Sequence, residues 1–462
     1  METLQENKMG TVPVRQLIIK MSLPLVASML FQALYNVVDS IFVARLNQDA
    51  MNAVSLAFPV QTLVMAFAGG TGVGMNAMLS RALGRRDRDA ADRAANTGIF
   101  LYICSAIVFS VIGFTCAEGY YRTLTDNPGI IAYGGSYIKV CIGLCFTLFA
   151  QVCAERLLQS TGRTDLAMIP QIAGAVFNMV FDPILIFGLF GFPRLEVQGA
   201  AVATVCGQFL ASVIGFVLNV RKNKEIALSL KRIRFHAETA GMIYKTGLPS
   251  IALQAVGSVT NFCINNVLIG FTEAATAAYG AYFKIQSFIF LPVFGLNNAI
   301  VPIISYNYGA RRYDRVRSAI RIGSIIAVGI MTVGFIAFET IPATLLSLFS
   351  PTEEMLSVGT VAFREIGIHF PVAGFCIVAG SVFQALGKPM YSLIASLCRQ
   401  VIVLLPAVYL LAMTGNLNLV WFAFPIAEVI SLIMSSIFLK KTLSAVAREE
   451  RENTSVPGEN GI

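Results

Sequence analysis

Long apolar runs separated by short polar connections recur along the whole chain of 462 residues. Roughly 20 apolar residues suffice for a helix to cross a bilayer. Runs of that length fall near 17–43, 53–80, 94–116, 133–156, 166–190 and 198–220, then near 242–270, 277–306, 317–340, 358–384, 391–412 and 418–439. The pattern predicts an all-α polytopic membrane protein of twelve transmembrane helices. The stretch before the first run lacks the layout and small-residue cleavage site of a signal peptide, so that run is read as an uncleaved span.

The second six runs repeat the first six. Pro24 and Pro249 open equivalent helices 225 positions apart. The same offset, without a gap, pairs Gln61 with Gln286, Gly70 with Gly295, Ser80 with Ser305, Gly84 with Gly309, Arg86 with Arg311 and Asp89 with Asp314. Matched Pro, Gly, Gln, Arg and Asp in one register are hard to obtain by chance. Six spans per half is an even number, so the halves enter the membrane with the same orientation, and such parallel repeats place a substrate site between them. The predicted organisation is an N-terminal lobe over 15–220, a linker over 221–241 and a C-terminal lobe over 242–440. A tail over 441–462 is expected to be disordered, because its end is polar and lacks apolar periodicity.

Composition agrees with the membrane reading: 56% of residues are hydrophobic and 13% charged, about half the charge of a soluble domain. The net charge of +8 would suit a nucleic-acid partner, but the basic residues cluster in alternate connections. Arg81, Arg85, Arg86 and Arg88, then Arg156 and Arg163, then Arg221, Lys222 and Lys224 begin the series. Arg311, Arg312, Arg315 and Arg317, Lys388, and Lys440 with Lys441 continue it. The positive-inside rule accounts for this pattern and puts both termini in the cytoplasm. The nine cysteines lie in apolar segments without metal-ligand spacing, which argues against a metal cluster. With two histidines, and neither HExxH, GxSxG nor GxxxxGK[ST], a membrane-embedded enzyme or an ATP-driven pump is disfavoured.

Ionisable residues inside spans are costly and mark functional sites by default. Counting along the spans brings Asp39, Asn178, Asp182 and Thr204 to similar depth in the first lobe. Two carboxylates, an amide and a hydroxyl supply the oxygens that a hard cation such as Na⁺ requires. The same carboxylates would equally hold a proton. Pro183 removes a helix hydrogen bond to Met179 and frees a carbonyl beside Asp182. The competing reading makes Asp39 a solvated interfacial residue and Asp182 a link between helices.

In the second lobe Gln254, Asn261, Asn265 and Asn266 stand where the first carries Met29, Asn36, Ser40 and Ile41, and Asp39 maps onto Ile264. The carboxylate site is therefore not duplicated, and Gln254, Asn261, Asn265 and Lys284 are the candidate substrate contacts. Lys284 either snorkels to the outer surface or serves as a counter-charge in the cleft. Glu365 and His369, four apart, form either a proton relay or a solvated pair near the outer end. Arg399 and Glu428 are read as charges internal to the lobe or at its interface.

The segments LSRALGRRDRDAADRA (79–94) and PIISYNYGARRYDRVRSA (302–319) resemble the paired cytoplasmic loops of the multidrug and toxic compound extrusion (MATE) family. The opening SLPLVASMLFQALYNVVDSIFVARL (22–46), with NMVFDPILIFG (178–188) and VQGAAVATVCGQ (197–208), is similar to its first, fifth and sixth helices. The PIISYNYGA form is most similar to a MepA-like branch. The resemblance implies a two-lobed secondary exporter, not an enzyme, that antiports lipophilic or cationic organic compounds against H⁺ or Na⁺ by alternating access. It implies that Asp39, Asn178, Asp182 and Thr204 match the family's N-lobe cation site. No cofactor and no nucleic-acid partner are expected. The expected setting is a monomer in the bilayer of a bacterial inner membrane. The alternative is a lipid-linked or metabolite exporter, or flippase, of the same architecture, which would need several basic residues in its cleft.

Overall fold

In hydrocarbon every backbone N–H and C=O must be satisfied within the protein, which confines a spanning chain to helices or a closed barrel. The computed structural model describes residues 7–228 and 233–455, and every regular element in them is helical. After a short α1 (Lys8–Thr11), the first half comprises α2 (Val14–Ala44), α3 (Gln48–Gly84), α4 (Arg88–Arg122), α5 (Pro128–Cys141), α6 (Phe146–Ser160), α7 (Thr164–Phe187) and α8 (Val197–Lys222). The second half begins with α9 (Ala237–Ile269), α10 (Glu273–Gly309), α11 (Tyr313–Thr340), α12 (Pro342–Ser347), α13 (Glu353–Gly367) and α14 (Phe370–Ala385). It ends with α15 (Pro389–Leu397), a π turn at Cys398–Leu404, α16 (Leu405–Ala412), α17 (Leu417–Trp421) and α18 (Ala423–Ser455). Among the described residues ten helical segments are long and apolar enough to span, and the bent pairs α5–α6 (42°) and α13–α14 (49°) complete twelve.

The repeat seen in the sequence is written into the geometry. Helices α3 and α10 start and stop 225 positions apart, as do the starts of α4 and α11 and of α5 and α13. Ser80 Oγ donates to Ser160 O at 2.8 Å, and its counterpart Ser305 Oγ donates to Ala385 O at 3.1 Å. Arg86 and Arg311 both adopt left-handed backbone, with φ of 58° and 57°. Each follows the end of its helix, where Asp87 N–H reaches back to Ala82 O and Arg312 N–H to Asn307 O, the closure that satisfies terminal carbonyls.

Close-packing divides the chain into two units: Lys20–Leu83 with Asp87–Gln254, and Glu6–Ile19 with Gly84–Arg86 and the residues from Ala255 onward. These boundaries differ from those counted by span. The N-terminal stretch joins the second unit because its backbone carbonyls find side-chain donors there. Asn307 Nδ2 and Arg315 Nη2 both donate to Met9 O, at 3.0 and 3.1 Å. Arg315 also reaches Val12 O at 2.6 Å, and Arg312 reaches Gly10 O at 2.6 Å. In the first unit the linker is held similarly: Ala227 N–H donates to Asp92 Oδ1 at 2.8 Å.

Over its described part the tail departs from the expectation of disorder, since α18 runs on to Ser455, while 456–462 lie outside the described residues. Alanine, arginine and glutamate are strong helix formers. Val446 is buried, and Arg317 forks onto Glu450 with bonds of 2.8 and 3.1 Å. Tyr308 Oη adds a bond to Glu449 Oε2 at 2.8 Å. The Arg317 guanidinium holds the Glu450 carboxyl below its ordinary value of 4.5. A carboxyl whose value is lowered by folding contributes stability above its unfolded value and loses it as pH falls through the folded one. Hydrogen exchange of the 445–452 peptide should therefore be slow at pH 7 and speed up, relative to the intrinsic rate, as pH falls below 4.5. Exchange protection that ignores pH there would mean that Val446 alone docks the helix end.

Candidate functional site

Helices α7 and α8 approach until their backbones touch. A Cβ on Gly174 would lie 2.8 Å from Gly207 O, and one on Gly207 2.7 Å from Gly174 O. Small residues permit this approach inside a membrane, where van der Waals packing drives helix association. One turn beyond Gly174 comes Asn178, and one turn before Gly207 comes Thr204, so the antiparallel contact sets them side by side. Asn178 Nδ2 donates to Thr204 Oγ1 at 3.1 Å and to Asp182 Oδ1 at 3.2 Å. Helix α7 continues through Pro183 to Phe187 and stops at Gly188, whose φ is 73°.

Asp39, on α2, completes the cluster, with its carboxyl beside that of Asp182. Asp182 has 0% and Asn178 2% of its surface exposed, while Asp39 and Thr204 are half-buried. Three oxygens in this small volume are buried without a partner: Asp39 Oδ1, Asn178 Oδ1 and Asp182 Oδ2. Orphaned buried acceptors are costly in a folded protein. Two adjoining carboxyls cannot both ionise cheaply, so this arrangement has the chemistry to share a proton or to surround a small cation. It is a set of hard oxygen donors, which suits Na⁺ and not a softer transition metal.

Asp39 and Thr204 face a cavity of about 710 Å³ within the first unit, walled also by Gln32, Tyr35, Asn36, Gln61, Tyr137 and Gln208. Asp182 lies behind Asp39 and does not line it. The sequence reading missed Tyr35 and Gln32, which adjoin the carboxyls. Their signal was available: they stand four and seven residues before Asp39, on the same face of α2. Tyr137, hydrogen-bonded by Gln61 at 3.2 Å, carried no comparable mark.

The expected substrate contacts are more scattered. Gln254 falls in the first unit, its Nε2 3.6 Å from where a Cβ on Gly69 would stand. In the second unit Asn265 Nδ2 donates to Asn261 O at 3.0 Å, an ordinary helix-surface bond. Lys284 is exposed, with its ammonium 5.7 Å from the ring centre of Phe349. Phe349 lies in a connection poor in basic residues, so the geometry favours the snorkelling reading of Lys284.

Glu365 and His369 correct an expectation. The helix breaks between Gly367 and Phe370, so the spacing of four no longer puts them on one face. His369 is not solvated: it is 5% exposed, its Nδ1 lies 2.5 Å from Ile366 O, and its ring stacks on Phe424. Arg399 and Glu428 form an ion pair at 3.2 Å inside the second unit.

The sequence profile of the MatE family matches residues 24–184 and 249–410, one copy in each half. A protein named "FAD transporter" from Shewanella oneidensis is 25% identical over 423 residues, covering 91% of this chain and 93% of its own length. "Multidrug export protein MepA" of Staphylococcus haemolyticus is 25% identical over 406 residues, covering 87% and 88%. Among solved structures, an outward-facing multidrug resistance MATE transporter of the MOP superfamily superposes with a TM-score of 0.90 at 24% identity, over 97% of this chain and 100% of the other. A MOP superfamily transporter from Pyrococcus furiosus, described as having a binding pocket of reversed polarity, also gives 0.90, at 23% identity and the same coverage.

Proposed function

The chain belongs to the MatE family, and from that premise we propose that it is a secondary exporter of lipophilic organic cations, driven by H⁺ or Na⁺ exchanged at Asp39, Asn178, Asp182 and Thr204. The observation that carries this reading is the set of three partnerless oxygens on Asp39, Asn178 and Asp182, beside the cavity that Asp39 and Thr204 line. The ion and the organic compound compete for this negative region. Binding of either from its own side displaces the other, and the two six-helix halves alternate access across a bacterial inner membrane. Both termini lie on the cytoplasmic side with the basic connections. One chain carries the whole cation site, so the transporting unit is the monomer.

The Shewanella relative's name raises a second reading, export of an anionic nucleotide-like metabolite. Among the described residues the cavity lining contains a carboxylate and no Lys or Arg. Arg399 is committed to Glu428, and Lys284 to the ring of Phe349. A cation suits this lining, and a polyanion does not.

Purified protein in liposomes, loaded with ethidium and given either a pH gradient or a Na⁺ gradient alone, tests the proposal. Efflux should accelerate by at least about tenfold under one of the two gradients, the scale of coupling that a difference of about 1.4 kcal/mol supplies. Efflux indifferent to both gradients would refute ion coupling. Acceleration of riboflavin-nucleotide export in place of ethidium export would select the second reading.

A further inference from the structure

Helix α6 carries a polar stripe that the exporter reading does not use. Thr147, Gln151, Glu155 and Gln159 follow one another at intervals of four, which lines them along one face of the helix. Three of them are buried, with Thr147 2%, Glu155 7% and Gln159 5% exposed. The stripe starts at the cavity: Thr147 Oγ1 donates at 3.0 Å to Gln208 Oε1, and both Gln208 and the adjacent Leu148 line the cavity. It continues through Gln151 Nε2, which donates to Glu155 Oε1 at 2.9 Å. Arg156 Nη1 then donates to Gln159 Oε1 at 3.0 Å, beside the basic connection at Thr161–Arg163. At about 1.5 Å rise per residue, Glu155 stands about 12 Å below Thr147.

Glu155 is thus a buried carboxylate between the ion cluster and the basic end of the first unit. Beside it the structure places Gln151 and Arg156 from its own helix and Tyr102 from α4, and Tyr102 in turn has Cys153 and, from α9, Tyr244 near it. Tyr102 is itself engaged, donating to Ala68 O at 2.9 Å. From α8, Asn219 Nδ2 donates to Ala154 O at 2.8 Å. The repeat makes the stripe more pointed. At the offset of 225, Thr147, Gln151 and Glu155 correspond to Val372, Cys376 and Gly380, and only Gln159 is kept, as Gln384. The stripe and the Asp39–Asp182 pair are therefore confined to the same half.

We infer that Glu155 is the internal proton relay of this transporter, taking the proton released by the Asp39–Asp182 pair and passing it to water at the basic end. The proton leaves a carboxyl of the pair, which becomes carboxylate. Water in the cavity and the Gln151 amide guide it to the Glu155 carboxylate, which is protonated and then releases it beyond Gln159, restoring the carboxylate. Gln151 acts as a positioning residue by holding Glu155 Oε1. The inference rests on the ion-coupled reading above and commits it to H⁺.

The test uses the full chain in liposomes with ethidium as probe. Two rates are compared: efflux driven by a pH gradient, and ethidium–ethidium exchange at equal pH on both sides, which moves no net proton. Glu155→Gln should lower the driven rate at least about tenfold, within the range that a positioned proton-transfer group contributes. It should leave exchange and ethidium binding within about twofold of the unsubstituted protein, and Glu155→Asp should restore most of the driven rate. Driven efflux unchanged in Glu155→Gln would overturn the relay. So would a parallel loss of exchange, which would make Glu155 a packing residue. Should Glu155→Gln fail to fold, Gln151→Leu carries the same comparison and should again slow only driven efflux. If Na⁺ alone drives the unsubstituted protein, the relay falls and ion coupling stands. If neither gradient drives it, the exporter reading itself falls.

Discussion

Asp182→Asn should abolish ion-driven ethidium efflux, with a loss of about 100-fold or more, while leaving the protein folded. The substitution preserves shape and removes only the charge and one acceptor. Asp182 is fully buried, its Oδ1 accepts from Asn178, and its Oδ2 has no partner. An amide at this position can keep the Asn178 contact by turning its oxygen toward it. It can neither take up a proton at working pH nor neutralise a cation. Stability should change by no more than about 1 kcal/mol, because one hydrogen bond is rearranged and no cavity is opened. The measurements are driven efflux in liposomes and thermal unfolding of the purified variant. Driven efflux at the unsubstituted rate would place the coupling ion elsewhere. Loss of efflux together with a collapse of unfolding temperature would instead make Asp182 a link between α7 and α8.

The exchange of access that this requires is easiest to picture from the repeat, and the repeat was fully legible in the sequence. Proline, glycine and serine positions were informative because each has a backbone or packing role that few residues replace. Ser80 and Ser305 reach the same carbonyl position in each half, and Gly162 and Gly387 share left-handed φ values of 80° and 74°. The grouping of Asn178, Asp182 and Thr204 was legible for a related reason: a helix of known rise converts position into depth. Depth says nothing about azimuth, however. It took the contact of Gly174 with Gly207 to show that these side chains meet.

Three features were hidden, each by a specific assumption. Span counting treats a run as one straight helix, so the bends inside the fourth and tenth spans were invisible, and Glu365 and His369 were placed on a common face they do not share. Glu155 falls at the end of the span counted over 133–156, a place where a carboxylate draws no notice, although the packing of α4, α7 and α8 against α6 buries it. The tail was read from apolar periodicity alone. Its helix also carries the arginine–glutamate contacts of residues 317 and 450, which a hydrophobic pattern does not register.

The second large expected effect concerns the half without an acidic cluster. Arg399→Ala should destabilise the protein by about 3 kcal/mol, because it leaves the Glu428 carboxylate buried without its counter-charge. Glu428 is 2% exposed and receives Arg399 Nη1 at 3.2 Å from within the π turn that begins at Cys398. Arg399 keeps part of its side chain accessible, which sets the expected loss at the lower end of the range for a broken buried pair. The single tryptophan, Trp421, is fully buried and stacks on Tyr279, so its fluorescence reports unfolding of this half directly. Combining Arg399→Met with Glu428→Gln removes both charges and should recover most of the stability, since well-packed neutral replacements of a buried ion pair are often tolerated. The double variant should also keep driven ethidium efflux within about threefold of the unsubstituted rate. That outcome would make the pair a structural element and leave coupling to the first half. Stability restored with driven efflux still lost would show that the second half takes part in coupling as well, and the asymmetry of carboxylates would then no longer locate the driving ion.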